Sequence, residues 1–399
     1  METAYIVDIL RTPVGKFGGT LAPVRPDDLA AHAIKKLMER NPGLPLSELE
    51  DVIFGAANQA GEDNRNVARM ALLMAGLPIE VAGVTVNRLC ASGLQSIMDA
   101  SRALLLNEGN AYIAGGVESM SRAPFVTAKA ESAYSRKVET YDTTIGWRFV
   151  NKKLADKYYP FSMGETAENV AEQWKISREE QDAFAHQSQV RYDKAHKAGL
   201  FKDELSPVVV PQRKKDPILF DKDEHPRLSS LDTLASLKPA FKAGGTVTAG
   251  NASGVNDGAA ASLVVNEATL KKYNLKPMAR VVSMAVAGVS PDTMGIGPVP
   301  ATRKALDRAD LSVTDLDLIE LNEAFASQSI ACMQELDLDP QIVNVNGGAI
   351  AIGHPLGASG TRISATLLHE MKRRGSKYGL ATMCIGVGQG AAVIYENLI

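Results

Sequence analysis

The two ends of this chain repeat one short plan, and that repetition limits the folds open to it. Leu49-Glu50-Asp51-Val52-Ile53 parallels Leu316-Asp317-Leu318-Ile319. Val86-Asn87 leads to Ala91-Ser92-Gly93 and a helical pattern; Val345-Asn346 leads to Ala358-Ser359-Gly360 and another. In each half a further strand comes after that helix and runs into glycines, Gly115-Gly116 in the first and Gly386 in the second. Matching strings in matching order read as an internal duplication of one strand–helix unit. The strands are short β-branched runs: Ala4-Tyr5-Ile6-Val7, Val52-Ile53-Phe54, a buried Val84-Thr85-Val86 and Tyr112-Ile113-Ala114 in the first half. Leu318-Ile319-Glu320-Leu321, Ile342-Val343-Asn344-Val345 and Leu380-Ala381-Thr382-Met383 serve the second. Strands alternating with helices give an α/β fold in layers.

Between the halves the sequence is richer in charge and helix signals. Ser177-Arg178-Glu179-Glu180 is a capping box whose helix should stop near Gly199, and Pro207, Pro211 and Pro217 break up the stretch after it. The expected organisation is an N-terminal half over residues 1–120, completed by about 252–276, and a C-terminal half over 277–399. Residues 121–251 then form an inserted domain that can shape a site for a long ligand.

Composition narrows the partners. The net charge is −3, so no global basic field favours nucleic acid, and a phosphorylated ligand needs a local basic site. Cys90, Cys332 and Cys384 are too few and odd in number for a disulfide framework, which fits a reducing cytoplasm. The histidines make no metal-type spacing with cysteine or carboxylate, so no metal is expected. No signal-peptide pattern opens the chain, and no run of about 18 apolar residues predicts a membrane span.

Four segments can carry chemistry. Asn87-Arg88-Leu89-Cys90-Ala91-Ser92-Gly93 puts Cys90 at a helix N-terminus, where the dipole and free N–H groups favour an anion, lower a thiol pKa and can hold an oxyanion. Cys90 can equally be a small buried hydrophobe. Gly353-His354-Pro355, in a glycine-rich loop after a strand, offers a base near neutral pH, although a lone histidine is commonly structural. Cys384-Ile385-Gly386-Val387-Gly388-Gln389-Gly390 has a dinucleotide-loop look, but only nine residues come after it and no helix can open there. A cysteine at that strand end suits a proton donor and acceptor, or a packed thiol. Asn322-Glu323-Ala324-Phe325 is either a helix cap or an amide placed to orient a water or oxyanion.

Together with Gly115-Gly116-Val117-Glu118-Ser119-Met120-Ser121, these strings resemble the thiolase family along essentially the whole chain. The resemblance implies two duplicated halves with layered helices and mixed five-stranded sheets, plus an inserted loop domain. It implies Cys90 as the acylated nucleophile, His354 as its activating base and part of an oxyanion site, and Cys384 as the acid/base at the acetyl carbon. Asn322 would hold the water of the first oxyanion site, and the N–H groups of Cys90 and Gly386 would form the second. It implies coenzyme A as co-substrate, acyl-CoA as the other partner, a homodimer or homotetramer, and a place in acyl-CoA metabolism such as β-oxidation. Ser253 matches a residue touching pantetheine, and Met163, Phe241 and Phe325 match the walls of its tunnel. Arg227 roughly matches a basic residue near the adenine, or is a solvated surface charge.

Ala57-Asn58-Gln59-Ala60-Gly61-Glu62-Asp63-Asn64-Arg65-Asn66 and Asp142-Thr143-Thr144-Ile145-Gly146-Trp147-Arg148-Phe149-Val150-Asn151 look most like the 3-oxoadipyl-CoA thiolases of aromatic degradation. Ala91 and Gly164 depart from that branch, which usually has glycine and proline there. Gly357-Ala358-Ser359-Gly360 is closer to the acetoacetyl-CoA thiolases, yet those usually carry histidine where Ser162 stands. A decarboxylating condensing synthase would have a second histidine at Asn322 and no Cys384. A non-catalytic relative would lack the cysteines, and a cysteine hydrolase would need no CoA acceptor.

Overall fold

The computed structural model describes residues 3–399. Nine strands carry the framework: β1 (Tyr5–Arg11), β2 (Leu49–Gly55), β3 (Ala82–Val86), β4 (Ala111–Ser119), β5 (Asn256–Val265), β6 (Ala279–Gly288), β7 (Leu318–Leu321), β8 (Tyr378–Ile385) and β9 (Gln389–Asn397). They are ordered β7-β8-β9-β6-β1-β5-β4-β2-β3 in one ten-stranded sheet, the tenth being Gly15–Lys16 beside β5. The seam between halves is the antiparallel pairing of Tyr5 with Arg280 and Ile6 with Ala279. On one side of it β3, β2 and β4 run parallel while β5 and β1 return antiparallel. On the other, β7 and β8 are parallel and β9 and β6 return antiparallel. The pairing pattern therefore repeats outward from the seam.

The second half has a reduced outer strand. Ile342–Val345 makes one bridge only, between Val343 and Ile319. Asn344 adopts a left-handed φ of 47°. Its side chain then takes over the ladder, accepting from the Leu321 N–H at 2.9 Å and donating to the Leu321 carbonyl at 2.8 Å. The equivalent β3 is a full strand, but it is half-exposed rather than buried, with Val84 40% exposed, because it is an edge with β2 as its only neighbour.

Eight helices matter here: α1 (Pro26–Arg40), α2 (Val67–Met74), α3 (Ser92–Leu105), α4 (Met163–Gln173), α5 (Arg178–Lys197), α6 (Pro298–Ala309), α7 (Ala326–Leu336) and α8 (Leu356–Arg374). Side-chain alternation along the strands sorts them into layers. Val52 and Phe54 of β2 face the apolar core under α1 and α2, while Ile53 faces a central core built on α3 and α8. Leu380 of β8 faces the outer core of α6 and α7, while Ala381, Met383 and Ile385 face the central one. Helices and strands thus alternate in five layers, with α3 and α8 innermost. α8 is accordingly enclosed on all sides: every position from Gly357 to Met371 is buried, the polar Arg362, His369 and Glu370 included.

The central helices meet at backbone distance. A Cβ on Gly360 would lie 2.1 Å from the Leu94 nitrogen, and one on Gly116 would lie 2.0 Å from the Gly357 carbonyl oxygen. Gly115 and Gly116 are therefore interior to β4, where α8 presses on the strand, and do not mark the strand end that the sequence suggests. The Thr361 hydroxyl donates to the Gly93 carbonyl across the contact at 3.0 Å.

Residues 121–251 lie outside this sheet and form two small two-stranded sheets together with α4 and α5. Ser177 and Glu180 make the capping box of α5, and Gly199 stands just past its end at φ 71°. The segment is tied to the first half by Arg11 of β1, whose buried guanidinium donates to Glu204 at 2.6 Å and Asp223 at 2.6 Å. No helix among the described residues is long and apolar enough to cross a membrane. Gly360→Ala should lower the unfolding free energy by about 3 kcal/mol, because the added methyl separates two packed backbones. Urea denaturation reads this directly, and an unchanged midpoint would refute the backbone contact.

Candidate active site

Cys90 sits on a turn between β3 and α3, one residue before the helix N-cap Ala91. Leu89 holds a left-handed φ of 47°, unusual for a branched side chain. The turn is pinned on both sides. Asn87 Oδ1 accepts the Leu89 N–H at 2.8 Å, and Ser92 Oγ accepts the Arg88 N–H at 2.9 Å while donating to the Leu89 carbonyl at 2.6 Å. Arg88 reaches Gln95 at 2.7 Å and Gln389 at 2.9 Å, linking the turn to β9.

The β8–β9 hairpin supplies the next groups. Its three-residue loop puts Val387 at φ 64° and Gly388 at φ 79°. Gly386 thereby directs its N–H at the Cys90 sulfur, beside the N–H of Cys90 itself. Cys384, buried on the same strand, lies close enough for its charge to be felt by Cys90's. Burial, and then Cys90, hold the Cys384 thiol well above its usual pKa.

His354 enters from the loop before α8. Its N–H donates to Asn256 Oδ1 at 2.9 Å. Ser359 Oγ donates to the Pro355 carbonyl at 2.9 Å, so the same oxygen accepts from His354 Nδ1 at 2.6 Å. The proton is thus assigned to Nδ1, and Nε2 keeps its lone pair toward Asn322 Nδ2 at 3.4 Å. Asn322 is itself approached by Arg362 Nη2 at 3.4 Å. It caps no helix: α7 starts at Ala326 with Phe325 as N-cap and no side-chain bond. The neighbouring Glu323 is a buried brace, accepting from Ser188, Asn344 and the Ile350 N–H.

The electrostatics correct one expectation. Burial pushes the Cys90 thiol up to about 11, against the pull of the Gly386 and Cys90 amides. Burial, helped by the Arg362 charge, lowers His354 to about 3. Desolvation outweighs the helix terminus, so the pair rests as neutral thiol and neutral imidazole.

The other candidates gather on one flank. Met163 packs on Gly386, and Met163, Phe325 and Cys384 share one apolar cluster. The Phe241 and Phe325 rings meet edge-on at 6.3 Å. A Cβ on Gly164 would fall 2.1 Å from the Phe241 ring, which accounts for glycine there. Ser162 caps α4 through a box with Glu165. Ser253 donates its N–H to the Ala324 carbonyl at 3.0 Å. Arg227 stands further off, is exposed, and donates to the Ala249 carbonyl of the loop leading to Ser253.

Four residues to which the sequence assigned no role complete the site: Asn256, Ser359, Arg362 and Glu118. Ser359, five residues after His354 on the first turn of a helix, could have been found by spacing. Glu118 accepts from the N–H groups of Ala57, Asn58 and Gly357, contacts no local pattern announces. The described residues hold no cluster able to bind a metal. The open cleft of about 540 Å³ lined by Arg25, Glu62, Ser121 and Arg122 contains none of the groups above, so the contacts rather than the cavity locate the site.

Residues 4–268 match the family model for the thiolase N-terminal domain, and residues 275–397 that for the thiolase C-terminal domain. The chain is 56% identical over 401 residues to the 3-oxoadipyl-CoA/3-oxo-5,6-dehydrosuberyl-CoA thiolase of Escherichia coli (strain K12), covering 100% of both. It is 50% identical over 399 residues to the acetyl-CoA acetyltransferase of Chromobacterium violaceum, again covering 100% of both. The crystal structure of human mitochondrial 3-ketoacyl-CoA thiolase in complex with CoA superposes with a TM-score of 0.92 at 43% identity, covering 100% of this chain and 98% of that one.

A neutral resting pair has a direct signature. Alkylation of Cys90 by iodoacetamide, read by peptide mapping, should accelerate continuously from about pH 7 to about pH 10, as its raised pKa requires. A plateau in the neutral range would reveal a preformed thiolate instead.

Proposed function

This chain belongs to the thiolase family and is an acyltransferase, and on that premise we propose that it cleaves 3-ketoacyl-CoA carrying a terminal carboxylate, such as 3-oxoadipyl-CoA. The observation that carries the chemistry is the Cys90 sulfur facing two backbone N–H groups with the Cys384 thiol in electrostatic range, while His354 presents its Nε2 lone pair from the loop ahead of α8, whose first turn packs on that of α3. The preference for a carboxylate-ended chain rests on the full-length likeness to a 3-oxoadipyl-CoA thiolase.

In the degradative direction the Cys90 proton passes to His354 Nε2 and the sulfur attacks the 3-keto carbon. The bond between carbons 2 and 3 then breaks, its electron pair leaving on acetyl-CoA as an enolate. Cys384 protonates that carbon, and His354 with an Asn322-held water stabilises the enolate oxygen. The shortened acyl group stays on Cys90, its carbonyl oxygen facing the Cys90 and Gly386 amides. The thiol of a second CoA attacks it, its proton passing to the Cys384 thiolate, while His354 returns its proton to the departing Cys90 sulfur; acyl-CoA and the Cys90 thiol are released in a ping-pong scheme. Met163, Phe241 and Phe325 wall the pantetheine, Ser253 touches it, and Arg227 lies toward the nucleotide end. The same steps run backward as a Claisen condensation.

A second reading, acetoacetyl-CoA as preferred substrate, is favoured by Gly357 to Gly360 and by the acetyl-CoA acetyltransferase likeness. We also read the protein as a homo-oligomer in a reducing cytoplasm. The exposed edge strand β3, with Val84 in it and Ile79 just ahead of it exposed, supports the first, and three unpaired cysteines the second.

Thiolysis of acetoacetyl-, 3-oxohexanoyl- and 3-oxoadipyl-CoA tests the reading, with kcat/KM for the last expected to be at least about tenfold that of either other. No CoA-dependent cleavage of any of them would sink it. Cys90→Ala should abolish labelled acyl-enzyme. Cys384→Ala should keep acylation and slow acetyl α-proton exchange by about 100-fold or more; unchanged exchange would remove Cys384 from its role.

A further inference from the structure

We propose that Arg148 is the specificity residue that receives the distal carboxylate of the acyl chain, an inference resting on the carboxylate-ended substrate proposed for this site. The two sequence stretches most like 3-oxoadipyl-CoA thiolases, residues 57–66 and 142–151, are far apart in the chain and touch each other in the fold. Asn58 makes the contact with both ends of its amide. Nδ2 donates to Thr143 Oγ1 at 3.1 Å, and Oδ1 accepts from Arg148 Nη2 at 2.8 Å.

This clamp is linked to the turn that carries Cys90. Ala57, next to Asn58, accepts from Asn87 Nδ2 at 2.9 Å, and Asn87 in turn holds the Leu89 N–H of the Cys90 turn. On its other side, Trp147 Nε1 donates to the Phe161 carbonyl at 3.0 Å, two residues before the Met163 that packs on Gly386. Arg148 therefore lies on a segment bonded, through Asn58 and Ala57, to the loop that holds the Cys90 turn and, through Trp147, to the stretch leading into Met163.

Its own environment is incomplete. Arg148 is half-buried, yet only Nη2 is engaged, by the neutral Asn58 oxygens, and no carboxylate among the described residues pairs with it. Nε and Nη1 remain for a planar two-oxygen partner, the geometry a guanidinium offers a carboxylate. Its neighbours are satisfied differently. Arg25 and Arg122 both bind Glu62, and Arg88 is held by Gln95 and Gln389. The chain also accepts a strained backbone next door: Phe149 sits at φ 50°, its ring against Tyr141 at 5.0 Å. A carboxylate carried to this depth on an acyl chain needs such a partner to offset its lost hydration.

The test compares 3-oxoadipyl-CoA with 3-oxohexanoyl-CoA, which has the same carbon count and no charge. The ratio of their kcat/KM values in Arg148→Gln should fall about 10- to 100-fold below the parent ratio, mostly through KM. Arg148→Lys, which keeps the charge without the fork, should recover part of it. Thiolysis of 3-oxohexanoyl-CoA reports that each variant is folded. An unchanged ratio in Arg148→Gln overturns the assignment of Arg148 and leaves the carboxylate-ended substrate standing. Equal loss on both substrates assigns Arg148 a purely structural part and overturns it too. A parent enzyme with no preference for 3-oxoadipyl-CoA overturns the substrate reading and this inference together.

Discussion

The contact between α3 and α8 governs this structure. Two equivalent helices, one from each half, lie so close that backbone meets backbone at Leu94 and Gly360. Their leading turns meet, Gly93 lying against Gly357 and Thr361, so the segments that enter them, carrying Cys90 and His354 from far apart in the chain, converge there. Glu118 locks the arrangement. One carboxyl group on β4 binds amides of Ala57 and Asn58 from the first half and of Gly357 from the second, so neither turn can drift without leaving a buried hydrogen bond unmade. The four layers outside this contact are the cover needed to bury two almost wholly enclosed helices.

Burial sets the chemical style of the site. A thiolate ready in the free protein would require a cation that the surroundings do not supply, and Arg362 is committed toward Glu320 and Asn322. Instead the proton rests on the Cys90 thiol and the imidazole stays neutral, so in the proposed reaction the proton transfer accompanies attack on a carbonyl. The backbone N–H groups are already aimed, by a strained Leu89 on one side and a strained Val387 on the other, so little reorganisation accompanies charge development.

Much of this could be read from the sequence because it is local. The repeated strings, the capping box at Ser177 and most of the β-branched runs each express a short-range preference, and each produced the element it announced. The failures have a common cause in long-range contacts. Ile342–Val345 has a strand's composition, but the Asn344 side chain replaces the ladder. Val84–Val86 looks like core until its edge position is known. The position of Cys90 ahead of a helix was legible, whereas its elevated pKa was not, because desolvation depends on the groups packed above it. Asn256 and Glu118 work through hydrogen bonds to distant backbone and leave no periodicity to detect.

The position of β5 has a consequence for how the chain is made. β5 lies between β1 and β4, yet its residues come after the whole 121–251 segment in synthesis order. Until residue 265 has left the ribosome, β1 lacks its neighbour and β4 offers an open edge, the condition in which nascent sheets pair with the wrong partner. The Cys90 turn is translated early and waits for α8, the last helix, and for the β8–β9 hairpin after it. An unfinished or truncated chain therefore carries Cys90 without His354, Cys384 and the Gly386 amide, so the proposed site is assembled only when the second half has docked.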